Sequence, residues 1–212
     1  MGATSIKSRI KDLLTDVTVD NTAIGQFATD AAKEIINVLP MEMLWSLSTS
    51  TADINGAGAA LTSTRILYAS RLKYRALEIN PADSARAVDS NSIYKATNES
   101  PIFYREGGKV FIEPKVDNNT SCLVHHVNYP TIVYNDDMAL ADFVGAPDEI
   151  EHLIILKTAV KARLAELNDF QDDSEEHGLK SKDLQLLQQE YGTALSTFIQ
   201  STQRRDMEQE RE

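Results

Sequence analysis

The feature that most constrains the fold is a strongly apolar helical segment at residues 147–167. Its apolar side chains recur at steps of three and four residues, the spacing that places side chains on one face of an α-helix. The members of that face are Ile150, Leu153, Ile154, Leu156, Val160, Leu164 and Leu167. Pro147 suits the first helical position, where its missing N–H group costs no hydrogen bond. Ile155 widens the apolar face, so the pattern predicts a central helix that is covered on more than one side.

Further helices are predicted on both sides of the middle of the chain. They cover residues 5–17, 22–39, 41–47 and 181–205. Asp20 or Asn21 can cap the second of these helices, and Pro40 ends it. The last helix has apolar residues near heptad spacing. These segments predict an N-terminal helical hairpin and two C-terminal helices.

The middle of the chain has strand patterns and turn signals instead of helical periodicity. The predicted strands cover residues 61–71, 75–79, 102–104, 110–112 and 121–129, with a short helix at 81–87 and another short element at 92–97. Gly107 and Gly108 can supply the positive φ angles of a tight hairpin turn. The pattern therefore predicts a mostly antiparallel β-region.

The order of helices, strands and helices predicts an α+β fold. In this interpretation residues 1–47 and 147–205 form a helical bundle, and residues 48–146 are a β-rich insertion. Residues 206–212 are polar apart from Met207, so they have little apolar surface to bury and are predicted to be a flexible C-terminal tail.

Composition excludes several classes of function. The formal net charge is −11 and the pI is about 4.8, which argues against a protein that grips the phosphates of duplex DNA. An acidic surface is compatible with DNA that slides past. The single Cys122 cannot form an internal disulfide, so a reducing compartment is expected. The sequence also predicts neither a signal peptide nor a membrane span.

Motifs for catalysis or cofactor binding are missing from the sequence. There is no Gly-x-Ser-x-Gly motif and no phosphate-binding loop, so no cofactor is predicted. His125 and His126 are adjacent in a predicted strand and should point to opposite faces, which makes joint metal binding unfavourable. The histidine and cysteine spacing predicts no metal site.

Two acidic clusters and a set of aromatic residues are further candidates for a site. The acidic clusters are Asp136 with Asp137, and Asp172 and Asp173 with Glu175 and Glu176. A hydrolase could use such carboxylates, but runs of like charge are more often solvated loops. The aromatic residues of the β-region lack the basic surroundings of a sheet that stacks RNA bases, so packing is the preferred interpretation.

Three stretches resemble head-to-tail adaptor (connector) proteins of tailed bacteriophages. They are AAKEIINVLP at residues 31–40, SIYKATNESPIFYREGGKVFIEP at residues 92–114 and PDEIEHLIILKTAVKA at residues 147–162. The resemblance follows the order of the chain and covers most of its length. None of the three stretches is a catalytic signature.

The resemblance implies a structural virion protein, not an enzyme. Such adaptors form a ring, usually twelve-fold, beneath the portal protein at the neck of the virion, and they are made in the host cytoplasm. The β-region typically faces a downstream tail or nozzle protein, and the C-terminal segment docks on the portal. Genomic DNA passes through the central hole without sequence-specific binding, and no membrane is involved.

These implications assign roles to particular residues. The subunit-interface candidates are Ile155 and Leu156. The portal-docking candidates are Arg204, Arg205, Met207 and Arg211. The hairpin tip that faces the tail is formed by Gly107 and Gly108. The wide apolar face of residues 147–167 suits a helix that also meets a neighbouring subunit, because rings bury such side patches. Ile155→Asp is then expected to disturb assembly more than folding. The alternatives are a tail-completion or tail-tube-type structural protein and a hydrolase that uses the acidic loops.

Overall fold

The computed structural model describes residues 6–14, 19–53, 56–61, 64–115, 121–132, 148–169 and 174–209. The chain is α+β, as predicted, with helices and two mostly antiparallel sheets. It divides into two compact units. We call residues 1–47 with 129–212 the helical unit, and residues 48–128 the β-unit.

Most of the helical residues belong to the helical unit. In chain order the helices are α1 (Ile6–Leu13), α2 (Asn21–Val38), α3 (Met41–Leu44), α4 (Ser84–Val88), α5 (Asp148–Asp169) and α6 (Ser174–Gln209), with single 3-10 turns at Trp45–Leu47 and Pro81–Asp83. Asp20 caps α2, because its Oδ2 accepts a hydrogen bond from the Thr22 N–H at 3.0 Å. Such a cap satisfies one of the N–H groups that the first helical turn leaves without a partner.

Helix α6 is longer than the sequence pattern predicted. It begins at Ser174 rather than 181, and Gly178 lies inside it. The interpretation of Glu175 and Glu176 as part of a solvated loop is therefore wrong, since both occupy the first turn of α6, where the positive end of the helix dipole favours carboxylates. The helix continues to Gln209, and residues 170–173 lie outside the described residues.

Helix α5 is the central packing element of the helical unit. It contacts α1, α2 and α6. Its fully buried apolar residues include Ile150, Leu153, Ile154, Ile155 and Leu156. The prediction of a helix covered on more than one side is confirmed, and three helices of the same chain supply the cover. Pro147 lies outside the described residues.

Charged contacts reinforce the packing of α5. Glu34 of α2 lies between Lys157 and Lys161 of α5, at 3.2 and 2.6 Å. Burial opposes ionisation of Glu34, but the hydrogen bonds from Lys161 and Lys157 outweigh it and hold the carboxyl pKa below its ordinary value. Arg9 of α1 reaches Glu151 of α5 at 2.6 Å. These pairs orient helices whose main stabilisation is apolar burial.

The β-unit consists of two four-stranded sheets. The strands are β1 (Thr49–Ala52), β2 (Ala59–Ala60), β3 (Thr64–Arg71), β4 (Tyr74–Arg75), β5 (Leu77–Glu78), β6 (Ile102–Glu106), β7 (Lys109–Glu113) and β8 (Cys122–Asn128). The strand orders are β1-β8-β3-β4 and β2-β7-β6-β5. Strands β5 and β6 are parallel, whereas β6 and β7 form the predicted antiparallel hairpin.

Asp53 ties the two sheets together. Its Oδ1 accepts a hydrogen bond from the Gly58 N–H at 2.8 Å, and its Oδ2 accepts one from the Ile112 N–H at 3.0 Å. Asp53 follows β1 in the first sheet, and Ile112 lies in β7 of the second. A buried carboxylate is tolerated because these hydrogen bonds replace those lost with water. Phe103, Ile112 and Val124 belong to the apolar core beside it.

Several predicted strands differ in detail from the observed ones. Strands β1 and β2 were missed, because residues 48–60 are small and polar and carry no clear alternation. The strand predicted at 75–79 is divided: β4 pairs with β3, and β5 pairs with β6. The short helix at 81–87 is confirmed, whereas residues 92–97 contain neither helix nor strand.

Candidate functional site

The histidines do not converge on a metal-binding arrangement. The His125 ring stacks on Tyr68 with centroids 4.3 Å apart, while His126 Nε2 lies 2.9 Å from the Thr51 hydroxyl. Burial lowers the pKa of both imidazoles. Over the described part of the chain, no group of three or more His, Cys, Asp or Glu side chains is arranged to hold a metal ion. Among the described helices, none combines the length and the hydropathy of a membrane-spanning segment.

The surface of the β-unit has a cleft of about 540 Å³, which we call the apolar cleft. Its apolar lining residues are Leu77, Ile79, Ala87, Ile93, Tyr94, Ala96 and Ile102, and its charged ones are Asp83, Arg86 and Lys95. Leu77, Ile93 and Tyr94 are 70%, 90% and 68% exposed. Contiguous exposed apolar surface with a polar rim is typical of an interaction site.

Hydrogen bonds fix the backbone that carries the apolar cleft. The Asn91 N–H donates to Asp89 Oδ1 at 2.9 Å, and the Tyr94 N–H donates to Ser92 Oγ at 3.1 Å. The Ala96 N–H donates to the Ala87 carbonyl at 2.8 Å, which joins this loop to α4. The exposure of Ile93 and Tyr94 is therefore built into the loop.

The β6–β7 hairpin ends in the two glycines that the sequence singled out. Gly107 and Gly108 have φ angles of 57° and 74°, which are unfavourable for residues with a Cβ atom. A Cβ added at either position meets no atom within 4 Å. The tip is therefore an open turn whose glycines are required by backbone conformation and not by close packing.

The structure places the predicted subunit-interface residues in the interior of the subunit. Ile155 and Leu156 are 1% and 0% exposed in the single chain. Their burial removes the argument that assigned them to an interface, which was that α5 has more apolar surface than one chain can cover. The exposed large apolar residues of α5 and α6 include Leu164, Leu179 and Leu186.

Helices α5 and α6 enclose a charged network that the sequence reasoning missed. The fully buried Glu166 contacts Arg163 at 2.7 Å and Lys180 at 2.8 Å. The half-exposed Glu176 also contacts Lys180, with Oε1 lying 3.0 Å from the lysine Nζ. The three-residue spacing of Arg163 and Glu166 signals a possible pair, but the contact with Lys180 depends on how the two helices pack.

The portal-docking candidates lie at the C-terminal end of the chain. Arg204, Arg205 and Met207 fall within the last turns of α6, whose backbone is described to Gln209. Arg211 lies outside the described residues. The helix therefore extends four residues into the segment 206–212 that the sequence analysis assigned to a tail.

Charge is unevenly divided between the two units. The helical unit has 24 Asp and Glu against 12 Lys and Arg, a formal charge of −12. The β-unit has eight acidic and nine basic residues, a formal charge of +1. All of the net acidity of the chain therefore belongs to the helical unit.

Comparison with known proteins identifies a family that matches the chain. A family model described as SU10 adaptor protein matches residues 1–211. No curated protein matches the chain. The matched range includes both units and every helix and strand described above, so it concerns the whole architecture and not a single motif.

Proposed function

Because the chain belongs to the SU10 adaptor protein family, a family of structural adaptors of bacteriophages, we propose that it is the head-to-tail adaptor of a tailed phage. In this proposal copies of the chain form a ring, of twelve subunits, beneath the portal protein at the neck of the virion. The ring joins the capsid to the tail and surrounds the path of the DNA. The observation that carries the proposal is the family match over residues 1–211.

The distribution of charge supports a channel role for the helical unit. Its formal charge of −12 repels a polyanion, so DNA that passes along it is not retained. In the proposed ring α1, α2, α5 and α6 form a bundle that packs beside the bundle of the next subunit, with acidic surface toward the central hole. The nearly neutral β-unit is left for protein contacts.

The two ends of the ring meet different partners in this proposal. The end of α6, with Arg204, Arg205 and Met207, docks on the portal protein together with Arg211. Arginines suit such a contact because they make charge-assisted hydrogen bonds with carboxylates. The open turn at Gly107 and Gly108 faces a downstream tail or nozzle protein.

Location in the particle tests the proposal. Cryo-electron microscopy of the virion should show the chain as a ring between the portal and the tail. A position along the tail would contradict the proposal and select the tail-completion or tail-tube alternative. Absence from mature particles would contradict both structural roles.

A truncation tests the portal contact separately. Removal of residues 203–212 should leave the circular-dichroism spectrum and the unfolding midpoint nearly unchanged but abolish capture by immobilised portal protein. The matched control is Thr202→Ala with Gln203→Ala in the full chain, which keeps the arginines and should bind normally. Unchanged capture of the truncated chain would show that the portal contact lies elsewhere.

A further inference from the structure

We propose that α6 docks on the portal protein as one continuous helix, and that its end enters a polar groove of that protein without unwinding. The end concerned is residues 200–209, which we call the α6 extension. The inference rests on the proposed function, because it states how the part of α6 assigned there to the portal protein makes its contact.

Side-chain contacts fix the register in which α5 and α6 lie side by side. The contacts that set it are Glu166 with Lys180 at 2.8 Å, Arg163 with Asp183 at 3.8 Å, and Lys157 with the ring of Tyr191 at 5.0 Å. As the residue number falls along α5, it rises by nearly the same amount along α6, so the two helices are antiparallel. Asp148, the first residue of α5, therefore lies level with about residue 199 of α6.

Helix α6 continues past the level at which α5 begins. It runs to Gln209, so at a rise of 1.5 Å per residue the α6 extension reaches about 15 Å beyond Asp148. Over the described residues, the extensive packing of α6 is with α5. The α6 extension therefore lies beyond the helix that covers the preceding part of α6.

The apolar pattern of α6 ends at the same level. Apolar residues recur at three- and four-residue steps along the side of α6 that is buried or half-buried, and they are Leu184, Leu187, Tyr191, Ala194, Leu195, Phe198 and Ile199. The same steps lead next to Ser201, Thr202 and Arg205, which are polar. Met207 is the single apolar residue in the sequence of the α6 extension. This segment therefore has no apolar face with which to pack on its own chain.

The α6 extension is helical because it continues a helix that packing on α5 has already formed. Nucleation is the unfavourable step of helix formation, and each added residue then forms a further hydrogen bond. Residues 193–209 contain neither glycine nor proline. At the junction, the Ser201 hydroxyl donates to the Phe198 carbonyl of the same helix at 2.8 Å. A helix that is polar on all sides is typical of a segment that bridges two bodies.

A helical extension suits docking better than an unstructured tail does. An unstructured segment loses conformational entropy when it becomes ordered on its partner, whereas a helix that is already formed loses much less. The helix also holds its side chains at a fixed distance and direction from α5. The surface that receives it is therefore a groove shaped for a helix, with polar groups that accept hydrogen bonds from Arg204 and Arg205.

A proline in the full chain tests whether the helix must be continuous. Gln203→Pro removes an N–H group from the helix, and the proline ring clashes with the carbonyl four residues earlier, although the other side chains of the α6 extension are kept. Capture by immobilised portal protein should weaken at least about tenfold. The matched control is Gln203→Ala, which favours the helix and should be captured as the wild type is.

An insertion tests whether the helix must also point in one direction. One alanine inserted between Gln200 and Ser201 keeps the helix but turns the residues beyond it by about 100° and advances them by about 1.5 Å. This change should also weaken capture at least about tenfold, because the side chains no longer match the groove. Ser201→Ala is the control that keeps the length, and it should be captured normally. All of these variants should keep the wild-type unfolding midpoint, since the changes lie beyond the packed part of α6.

The outcomes separate this inference from the proposed function. Weak capture of both the Gln203→Pro variant and the insertion variant, with normal controls, supports docking as a continuous helix. Normal capture of either variant overturns it. If the chain that lacks residues 203–212 is not captured in the same assay, the portal contact of the proposed function still stands. If that truncated chain is captured as the wild type is, the proposed portal contact fails and this inference fails with it.

Discussion

Glu166 shows how one side chain can depend on two elements at once. Its carboxylate is fully buried between Arg163 of its own helix and Lys180 of α6. A buried ion pair adds little stability relative to an apolar pair of the same shape. Removal of one member is costly, however, because the remaining charges keep their desolvation penalty and lose their partner.

We therefore predict that Glu166→Gln lowers the free energy of unfolding by about 3–5 kcal/mol. The matched control is Glu176→Gln, which removes a half-exposed partner of Lys180 and should cost less than about 1 kcal/mol. Urea unfolding at neutral pH measures both. Equal costs for the two variants would contradict the claim that the network stabilises through burial.

His126 makes the stability of the β-unit depend on pH. Burial lowers its pKa below the ordinary value of 6.5, His125 adds to that shift, and a hydrogen bond with Asn128 opposes it. The folded state therefore holds a neutral imidazole under conditions in which the unfolded chain takes up a proton. The stabilisation is present in full above pH 6.5 and is lost as the pH falls through the folded-state pKa.

The expected result is a urea midpoint that falls between about pH 7 and pH 5, with a smaller fall in His126→Gln. His177→Gln is the control, since His177 is an exposed residue of α6, and it should follow the wild type. A wild-type midpoint that is constant over this range, or a His126→Gln variant with the same slope, would contradict the assignment.

Among the elements, α5 changes most between the sequence pattern and the structure. Its wide apolar face suggested surface left over for a neighbouring subunit. In the structure α1, α2 and α6 cover that face, so the width is explained within one chain. A hydrophobic face reports how much surface is buried, but it does not report which chain buries it.

This packing changes the expected effect of Ile155→Asp. A charge at a position that is 1% exposed has no partner and should cost at least about 4 kcal/mol, so we expect the subunit to unfold rather than merely fail to assemble. Leu164→Asp alters the same helix at a half-exposed position and should be folded. Circular dichroism and thermal unfolding distinguish the two variants. A folded Ile155→Asp monomer that cannot form a ring would restore Ile155 to the subunit interface.

The whole chain combines two compact units. The β-unit is continuous in sequence, and its first and last strands are paired, with Thr49 opposite His126. The two ends of the unit are therefore neighbours, as expected for a domain inserted into a loop of another domain. The separation of charge, −12 against +1, follows the same division.

We predict that residues 48–128 fold when produced alone, with cooperative urea unfolding and a β-type circular-dichroism spectrum. The control fragment, residues 48–121, lacks β8, the strand that joins β1 to β3 in the first sheet, and should be unfolded. A non-cooperative transition in the longer fragment would show that the β-unit depends on the helical unit.

The sequence by itself determined what depends on neighbouring residues. The three- and four-residue steps of α5, the cap of α2 and the double glycine between β6 and β7 are local signals, because helix and turn geometry are set by residues a few positions apart. The resemblance to head-to-tail adaptors also came from the sequence, and the match over residues 1–211 confirms the family.

Tertiary structure alone decided which distant residues meet. Packing between elements determines that Ile155 is buried and that Lys180 lies beside Glu166. It also determines that Asp53 binds the Ile112 N–H group and that Ile93 lines a surface cleft. Local periodicity contains no information about those partners, because the same amphipathic pattern is satisfied by any apolar surface that covers it.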